Sequence, residues 1–376
     1  MKKNKIQITF ISTGLNEGGA ENMLYKVINN LNKTVFDINV ISLGVDGHYK
    51  QKILDLNIPV EDLDLKNKFS IKKLITLAQL IKKYDPKIVQ TWMYHADFLG
   101  GLIVKLSSNA KIFWGVRNST LSIRDSSFSV IFSRLICIPL SFFIPDLIIS
   151  CSRTSIKIHK KLGYKNDLFH YVPNGLNIKN ISKNKFNFFS KRYFDILFCG
   201  RYDLQKNILF FLDVIKDLYK CDNNIRVQMI GKNIDKNNFK LVSEIKKRSL
   251  SHCIELNGFQ ESIEPYFKNS KILLSLSKYG EAFPNILLEA MAYRTVPVFF
   301  DVGDVKEIVG INDLVLNKKS KSNQISKFLF KLLKTKNQSI RNINYYLEKK
   351  LVKFYDIENI VKKYENIYLS KLNSKD

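Results

Sequence analysis

Short apolar runs rich in β-branched residues recur along almost all of this 376-residue chain, each ending in a glycine or polar loop and followed by a stretch with helical spacing. Two parallel strands can be joined only by a long crossover, normally a helix, so this alternation predicts a parallel sheet covered on both faces. Ile6–Ser12 reads as the first strand, and the next segment puts Leu24, Val27, Ile28 and Leu31 on one helical face. Further strands are expected at Ile38–Leu43, Lys87–Thr91 and Ala110–Gly115. The spacing predicts a helix over Ile71–Tyr84, with Leu74, Ile75, Ala78 and Ile81 on one side and Lys72, Lys73, Lys82 and Lys83 on the other. Phe128–Ile149 is the most apolar stretch. It reads as a buried helix, then Pro145-Asp146, then a strand at Leu147–Ser150, with a membrane-dipping role for part of it left open. Arg134, Pro139, Pro145 and Asp146 interrupt it, leaving no charge-free run of the roughly 18–20 residues that spans a bilayer.

The polar stretch Asn180–Ser190 has no period, and the alternation restarts after it. Strands are expected at Asp195–Cys199, Arg226–Ile230, Cys253–Leu256, Ile272–Ser277 and Val296–Phe300, with helices ending near Tyr219 and beginning at Pro284. The organisation expected is an α/β chain of two Rossmann-like domains, residues 1–178 and 191–355, with a linker over 179–190. The terminal segment 356–376 carries Ile357, Ile360, Val361, Tyr364, Ile367 and Tyr368 at helical spacing, so it must pack against something.

With 45% apolar and 25% charged residues, each domain can bury its own core, which excludes a disordered chain. Lys plus Arg number 60 against 34 acidic residues, a net charge of +26 that attracts phosphorylated substrates, nucleic acid or an anionic membrane face. The charge is spread over both halves, so no basic tail is grafted onto a neutral body. The five cysteines (137, 151, 199, 221 and 253) form no CxxC pair, which points to free thiols and a reducing, cytoplasmic location. The lysine-rich start, residues 1–5, is read as leading into the first strand and not as a signal peptide.

In open parallel sheets ligands bind beyond the carboxyl ends of the strands, and five motifs fall in such loops. Gly18-Gly19 in the loop 14–21 lets backbone N–H groups approach an anion at a helix N-terminus, though it is no GxGxxG. His95 lies in Thr91-Trp92-Met93-Tyr94-His95-Ala96-Asp97, where Asp97 reads as a helix cap. Arg201 and Lys206 share the loop 200–207, a planar fork and a point charge suited to a diphosphate. Tyr279–Ala290 holds Glu281 in a loop and Glu289 near the second turn of a helix, with Pro284 fitting the first helical position. Asp301–Asp304 with Glu307 forms a weaker polar loop. Asp62-Leu63-Asp64 imitates a metal-binding DxD but sits in Pro59–Leu65, which alternates as a strand edge. No cluster has metal-ligand spacing, and neither a G-x-S-x-G elbow nor a Walker loop occurs.

Together GGAE (18–21), TWMYHAD (91–97), GRYDLQKN (200–207) and YGEAFPNILLEAMA (279–292) resemble the retaining glycosyltransferases of family 4, which have the GT-B fold. The resemblance covers nearly the whole chain, and Glu281 and Glu289 occupy the positions of the family's E-x7-E motif. It implies that Arg201 and Lys206 bind the diphosphate of a nucleotide-sugar donor, that Glu289 contacts the ribose and that Glu281 holds hydroxyls of the transferred sugar. The backbone of Phe283-Pro284-Asn285-Ile286 would face the sugar and phosphates. Gly258-Phe259 would line the base pocket, Gly18 and Gly19 would approach the donor from the other domain, and His95 would sit at the reaction centre. It also implies a last helix that crosses back to the first domain, no cofactor and no required metal. One departure stands out: Tyr293-Arg294 falls where the family commonly has a small residue and a glycine.

The expected activity is transfer from a UDP-sugar to a hydroxyl of a glycan or lipid-linked acceptor in surface polysaccharide biosynthesis. Peripheral contact with an anionic membrane is suggested by the charge and by the lysine-flanked helix 71–84. Rival readings are a GT-B nucleotide-sugar epimerase, which needs no acceptor, and a basic nucleic-acid binder. The second lacks any recognised nucleic-acid motif, so no nucleic-acid partner is expected.

Overall fold

The computed structural model describes residues 5–65, 70–120, 127–179 and 189–373. The chain divides into two compact units, Met1–Gly175 with Ile357–Asp376, and Leu176–Asp356. Residues 180–188 of the expected linker lie outside the described residues; Phe189–Lys191 form a 3-10 turn with Phe189 buried.

The first unit is built on seven strands: β1 (Ile6–Ser12), β2 (Phe36–Ser42), β3 (Val60–Asp62), β4 (Ile88–Trp92), β5 (Lys111–Val116), β6 (Leu147–Ser150) and β7 (Phe169–Tyr171). Their order is β3-β2-β1-β4-β5-β6-β7, and every pairing is parallel. The second unit holds six: β8 (Phe194–Cys199), β9 (Val227–Ile230), β10 (Ile254–Leu256), β11 (Ser270–Ser275), β12 (Val296–Phe300) and β13 (Val315–Leu316). These run β10-β9-β8-β11-β12-β13, again all parallel. Strand order reverses between β1 and β4 in one sheet and between β8 and β11 in the other. Each reversal opens a crevice at the carboxyl edge, because the flanking crossovers leave to opposite faces.

Two apolar layers sandwich the first sheet. On one side Met23, Leu24, Val27 and Ile28 of the Gly19–Asn30 helix join Ile8, Phe10 and Phe113. The same cluster takes in Ile357, Ile360, Val361, Tyr364 and Tyr368 from the final helix, Ile357–Asn373. Tyr368 stacks on Phe113 at 5.5 Å and donates its hydroxyl hydrogen bond to Gln90 Oε1 at 3.1 Å. The apolar stripe of the terminal segment therefore completes the first unit's core.

Two sequence expectations are corrected here. The Ile71–Tyr84 helix has its expected bounds, but it buries Leu77 and Ile81 while Ile75 points outward at 53% exposure. The Phe128–Leu140 helix is not buried: Ser133 and Cys137 face inward, whereas Phe128, Phe132 and Leu135 are exposed. All five cysteines are free thiols. No helix among the described residues is long and apolar enough to cross a membrane.

Candidate active site

The crevice between β8 and β11 gathers the charged motifs of the second unit. After β8 the chain makes a 3-10 turn, Leu204–Lys206, capped by Asp203, whose side chain accepts from the Gln205 N–H at 2.8 Å. Arg201 Nε donates to Asp203 Oδ2 at 2.9 Å, and its other arm donates to Gln205 Oε1 at 3.3 Å. Burial works against the charge on Asp203, but the Gln205 amide, Arg201 and Lys206 outweigh it, so this carboxyl ionises below its ordinary value. Across the crevice, Lys206 Nζ donates to Glu281 Oε1 at 2.5 Å. Both side chains are about one-sixth exposed, 16% and 15%. The same oxygen accepts from Ser277 Oγ at 3.3 Å and Gln205 Nε2 at 3.4 Å. Neither Gln205 nor Ser277 stood out in the sequence. The signal was their position, one residue before Lys206 and four before Glu281.

Glycines fix this edge. Gly303 has φ +56, and a Cβ there would lie 2.4 Å from the carbonyl oxygens of Ala282 and Glu281, so the loop after β12 can lie against the Glu281 turn only without a side chain. Gly231, after β9, approaches Gly200 so closely that a Cβ would meet its carbonyl oxygen at 2.0 Å. Gly231 N–H also donates to Gly258 O at 2.7 Å, which ties the loop after β10 to the same edge. Phe259 is half-exposed beside it.

Glu289 sits in the fifth position of the Asn285–Ala292 helix, 8% exposed. The Cys199 thiol at the end of β8 is pushed up to about 12, first by burial and then by the nearby Glu289 charge, with Lys206 acting in the opposite sense. Pro284 is the residue preceding this helix, one position earlier than expected, and it holds an extended backbone (φ −73, ψ 112). The Phe283 ring is core, packed edge-on against Tyr355 at 5.6 Å, and Asn285 and Ile286 open the helix. Arg294 takes φ +56 where a glycine would be unstrained, held by two hydrogen bonds to Glu348 Oε2 at 3.1 and 2.9 Å.

At the first unit's reversal, Gly18 precedes the Gly19–Asn30 helix and Gly19 is its first residue. After β4, Met93 adopts φ +75 and the chain enters a π turn over Ala96–Gly100. His95 Nε2 lies 2.6 Å from Ser129 Oγ of the Phe128–Leu140 helix. Asp97 is not a cap. It is buried, and its Oδ1 lies 2.5 Å from Thr91 Oγ1 and accepts from the Gly115 N–H at 3.1 Å. Burial raises its carboxyl to about 7, while Thr91, Gly115 and Arg117 pull the other way. Thr91 Oγ1 has one proton but two neighbours, Asp97 Oδ1 and Phe113 O at 3.2 Å. Close by, Tyr94 donates to His159 Nε2 at 2.8 Å. That direction is fixed because His159 Nδ1 donates to the Ser155 carbonyl, also at 2.8 Å. Burial lowers this imidazole to about 4. Asp62 and Asp64 of the DxD are each bound to a lysine, Lys50 at 2.6 Å and Lys73 at 3.1 Å.

Comparison with known proteins agrees with this fold. The profile of Glycosyltransferase Family 4 matches residues 17–180, and that of Glycosyl transferases group 1 matches residues 179–350. The capsular polysaccharide biosynthesis glycosyltransferase CapH of Staphylococcus aureus is 28% identical over 317 residues, covering 81% of this chain and 83% of CapH. HepE of Anabaena, solved in complex with UDP and glucose, superposes with a TM-score of 0.83 over 97% of this chain and 100% of its own, at 17% identity. Sucrose-phosphate synthase of Thermosynechococcus elongatus gives 0.79 over 99% and 100%, at 14% identity. Two parallel α/β sheets of this topology, matched from end to end, define the GT-B fold, and the two family profiles make the chain a glycosyltransferase. Within that class the chain belongs to glycosyltransferase family 4.

Proposed function

We propose that the protein moves a sugar from a UDP-sugar to a hydroxyl of a glycan or lipid-linked acceptor in surface polysaccharide biosynthesis, keeping the anomeric configuration and using no metal ion. The observation that carries this reading is the Lys206–Glu281 pair across the β8/β11 crevice, with Arg201 in the same loop as Lys206. A cation held by a carboxylate is partly neutralised and keeps its place. An arriving diphosphate takes over Lys206, and Glu281 is freed to accept from sugar hydroxyls. UDP is favoured because HepE binds it, and polysaccharide assembly because CapH is similar.

Arg201 and Lys206 neutralise charge on the leaving diphosphate, while Glu289 takes the ribose and Glu281 the sugar. The backbone of 283–286 faces the phosphates, Gly18 and Gly19 offer N–H groups to an anion, Gly258-Phe259 lines the base and His95 serves the acceptor. The bond from the anomeric carbon to the phosphate oxygen breaks, the acceptor oxygen bonds to that carbon on the same face, and its proton passes to the departing diphosphate. Preorganised cations of this kind act without reorganising during the reaction. The reaction is assigned to the cytoplasmic side, at an anionic membrane surface.

Calorimetric titration with nucleotide sugars, followed by NMR of the product's anomeric centre, tests the reading. A UDP-sugar is expected to bind and to yield a retained linkage only when acceptor is present. Conversion of the donor alone would instead establish an epimerase, and an inverted linkage would overturn retention. Excess EDTA should leave the rate unchanged; its loss would return Asp62 and Asp64 to consideration.

A further inference from the structure

The exposed side of the Phe128–Leu140 helix carries an apolar line. Phe128, Phe132, Leu135 and Pro139 follow one another at helical spacing, and Phe142 and Phe143 continue the line through the next turn. Phe128 is 80% and Phe143 74% exposed, and the Phe128 and Phe132 rings stack at 6.0 Å. Between Ser127 and Phe143 there is no acidic residue and only one base, Arg134, which is not fully exposed. The inner side is anchored where Cys137 Sγ donates to Tyr94 O, and in the first turn the exposed Ser129 Oγ lies 2.6 Å from His95 Nε2.

Cations border this line. The Arg153–Lys161 helix ends in Lys160 and Lys161, both exposed. The turn after it packs on the aromatic helix, with Lys165 N–H donating to Ser141 Oγ at 2.9 Å and Tyr164 OH donating to Arg134 O at 2.9 Å. An apolar face with one side buried in protein, flanked by lysines, is the pattern of an element that lies in a membrane interface and does not cross it. Its length, about 20 Å at the rise of an α-helix, is too short to span. Protein interfaces are depleted in lysine, so the exposed lysines that border the stripe favour an anionic lipid surface over a protein partner.

We infer that this stripe enters the headgroup region of an anionic bilayer while Lys160, Lys161 and Lys165 hold the lipid phosphates. The lysine-flanked Ile71–Tyr84 helix is the weaker surface, because Lys73 and Lys83 are paired with Asp64 and Glu61. The inference deepens, and for its lipid-linked acceptor rests on, the function proposed above. It adds that the helix touching Tyr94 and His95 is the one held at the membrane, so an acceptor anchored by its own lipid would present its head to that loop.

The test is co-sedimentation of the full chain with vesicles of equimolar phosphatidylglycerol and phosphatidylcholine. Wild type should bind, and Phe132→Ser/Phe143→Ser should bind at least about tenfold more weakly. Lys160→Glu/Lys161→Glu should lose affinity at low salt and converge on wild type at high salt. Phe132→Trp should be quenched by brominated lipid, a readout that does not depend on removing apolar surface. UDP-sugar binding, measured by calorimetry on the same preparations, should be unchanged. Failure of wild type to bind these vesicles, equal binding by the serine variant, or an unquenched tryptophan would each overturn the inference. So would a wild-type dimer that the serine variant converts to monomer, since the stripe would then hold a second copy. Loss of donor binding in wild type would instead strike the proposed function, whatever the vesicles show.

Discussion

The two sheet reversals are built alike and equipped differently. Between β8 and β11 the ionisable groups face one another as charges: Lys206 with Glu281, Arg201 with Asp203, all partly open to water. Beside β4 the carboxyl of Asp97 and the ring of His159 are buried and are held by hydroxyls, a backbone N–H and a carbonyl. Charges in the first setting can trade partners at little cost. Those in the second cannot, because an exposed ligand never reaches them. One crevice holds charge pairs that are partly open to water; beside the other, buried polar groups hold a loop still.

The comparison breaks most visibly at Lys206. Lys206→Ala should slow transfer by about 10²–10³-fold, the usual effect of removing one preorganised stabiliser of developing charge, with an unchanged circular dichroism spectrum. Glu281→Ala should do the same, and full activity in either would dissolve the contrast. The buried side predicts a pH effect. Asp97 rises from 3.8 to about 7 on folding. Below 3.8 it is protonated in folded and unfolded chain alike. As pH climbs toward 7 only the unfolded chain's carboxyl ionises, so stability drains over that window, by roughly a few kcal/mol in all. Denaturation of wild type and Asp97→Asn across it should show a slope present in the first and absent in the second. His159 contributes the opposite trend, present above 6.5 and lost as pH falls toward about 4, but equally in both proteins. Equal slopes would mean that Asp97 is ionised as any surface carboxylate is.

Smaller effects sharpen the contrast. Gly303→Ala should cost about 1–3 kcal/mol of stability, because it strains the backbone and drives a methyl into two carbonyls. Gly14→Ala, whose Cβ would meet nothing nearer than 3.7 Å, should be close to neutral. Thermal melts that rank the two the other way would show the Glu281 loop to be slack. Tyr368→Phe, which leaves Gln90 Oε1 without its donor, should cost about 1 kcal/mol; no change would mean that stacking alone seats the last helix.

Much of the fold was readable because its signals are local. Ile6–Ser12, Leu147–Ser150 and Val296–Phe300 emerged with their true bounds, each a run of apolar residues cut off by turn-forming ones. The three-residue β7 and two-residue β13 are too short to carry a period and went unseen. Which face a helix buries was harder: Ile75 belongs to the apolar side by spacing, yet the helix offers the core only the line through Leu77 and Ile81. Phe128–Leu140 was misread for a related reason. Composition registers how apolar a segment is, but not whether the chain itself supplies the cover. At the candidate site the residue types were legible and their partners were not, since Lys206 and Glu281 are 75 positions apart. Asp97 looked like a cap because the sequence does not reveal that Gly115 and Thr91 close over it.

The route of the final helix has a consequence for biosynthesis. Its five buried side chains belong to a core whose other members are synthesised hundreds of residues earlier. As the chain leaves the ribosome the amino-terminal unit must wait, its sheet uncovered along one flank, until translation has run through the whole of the other unit. That interval exposes apolar strands to aggregation. A nonsense mutation near Ile357 would therefore damage the opposite end of the polypeptide from the one it shortens.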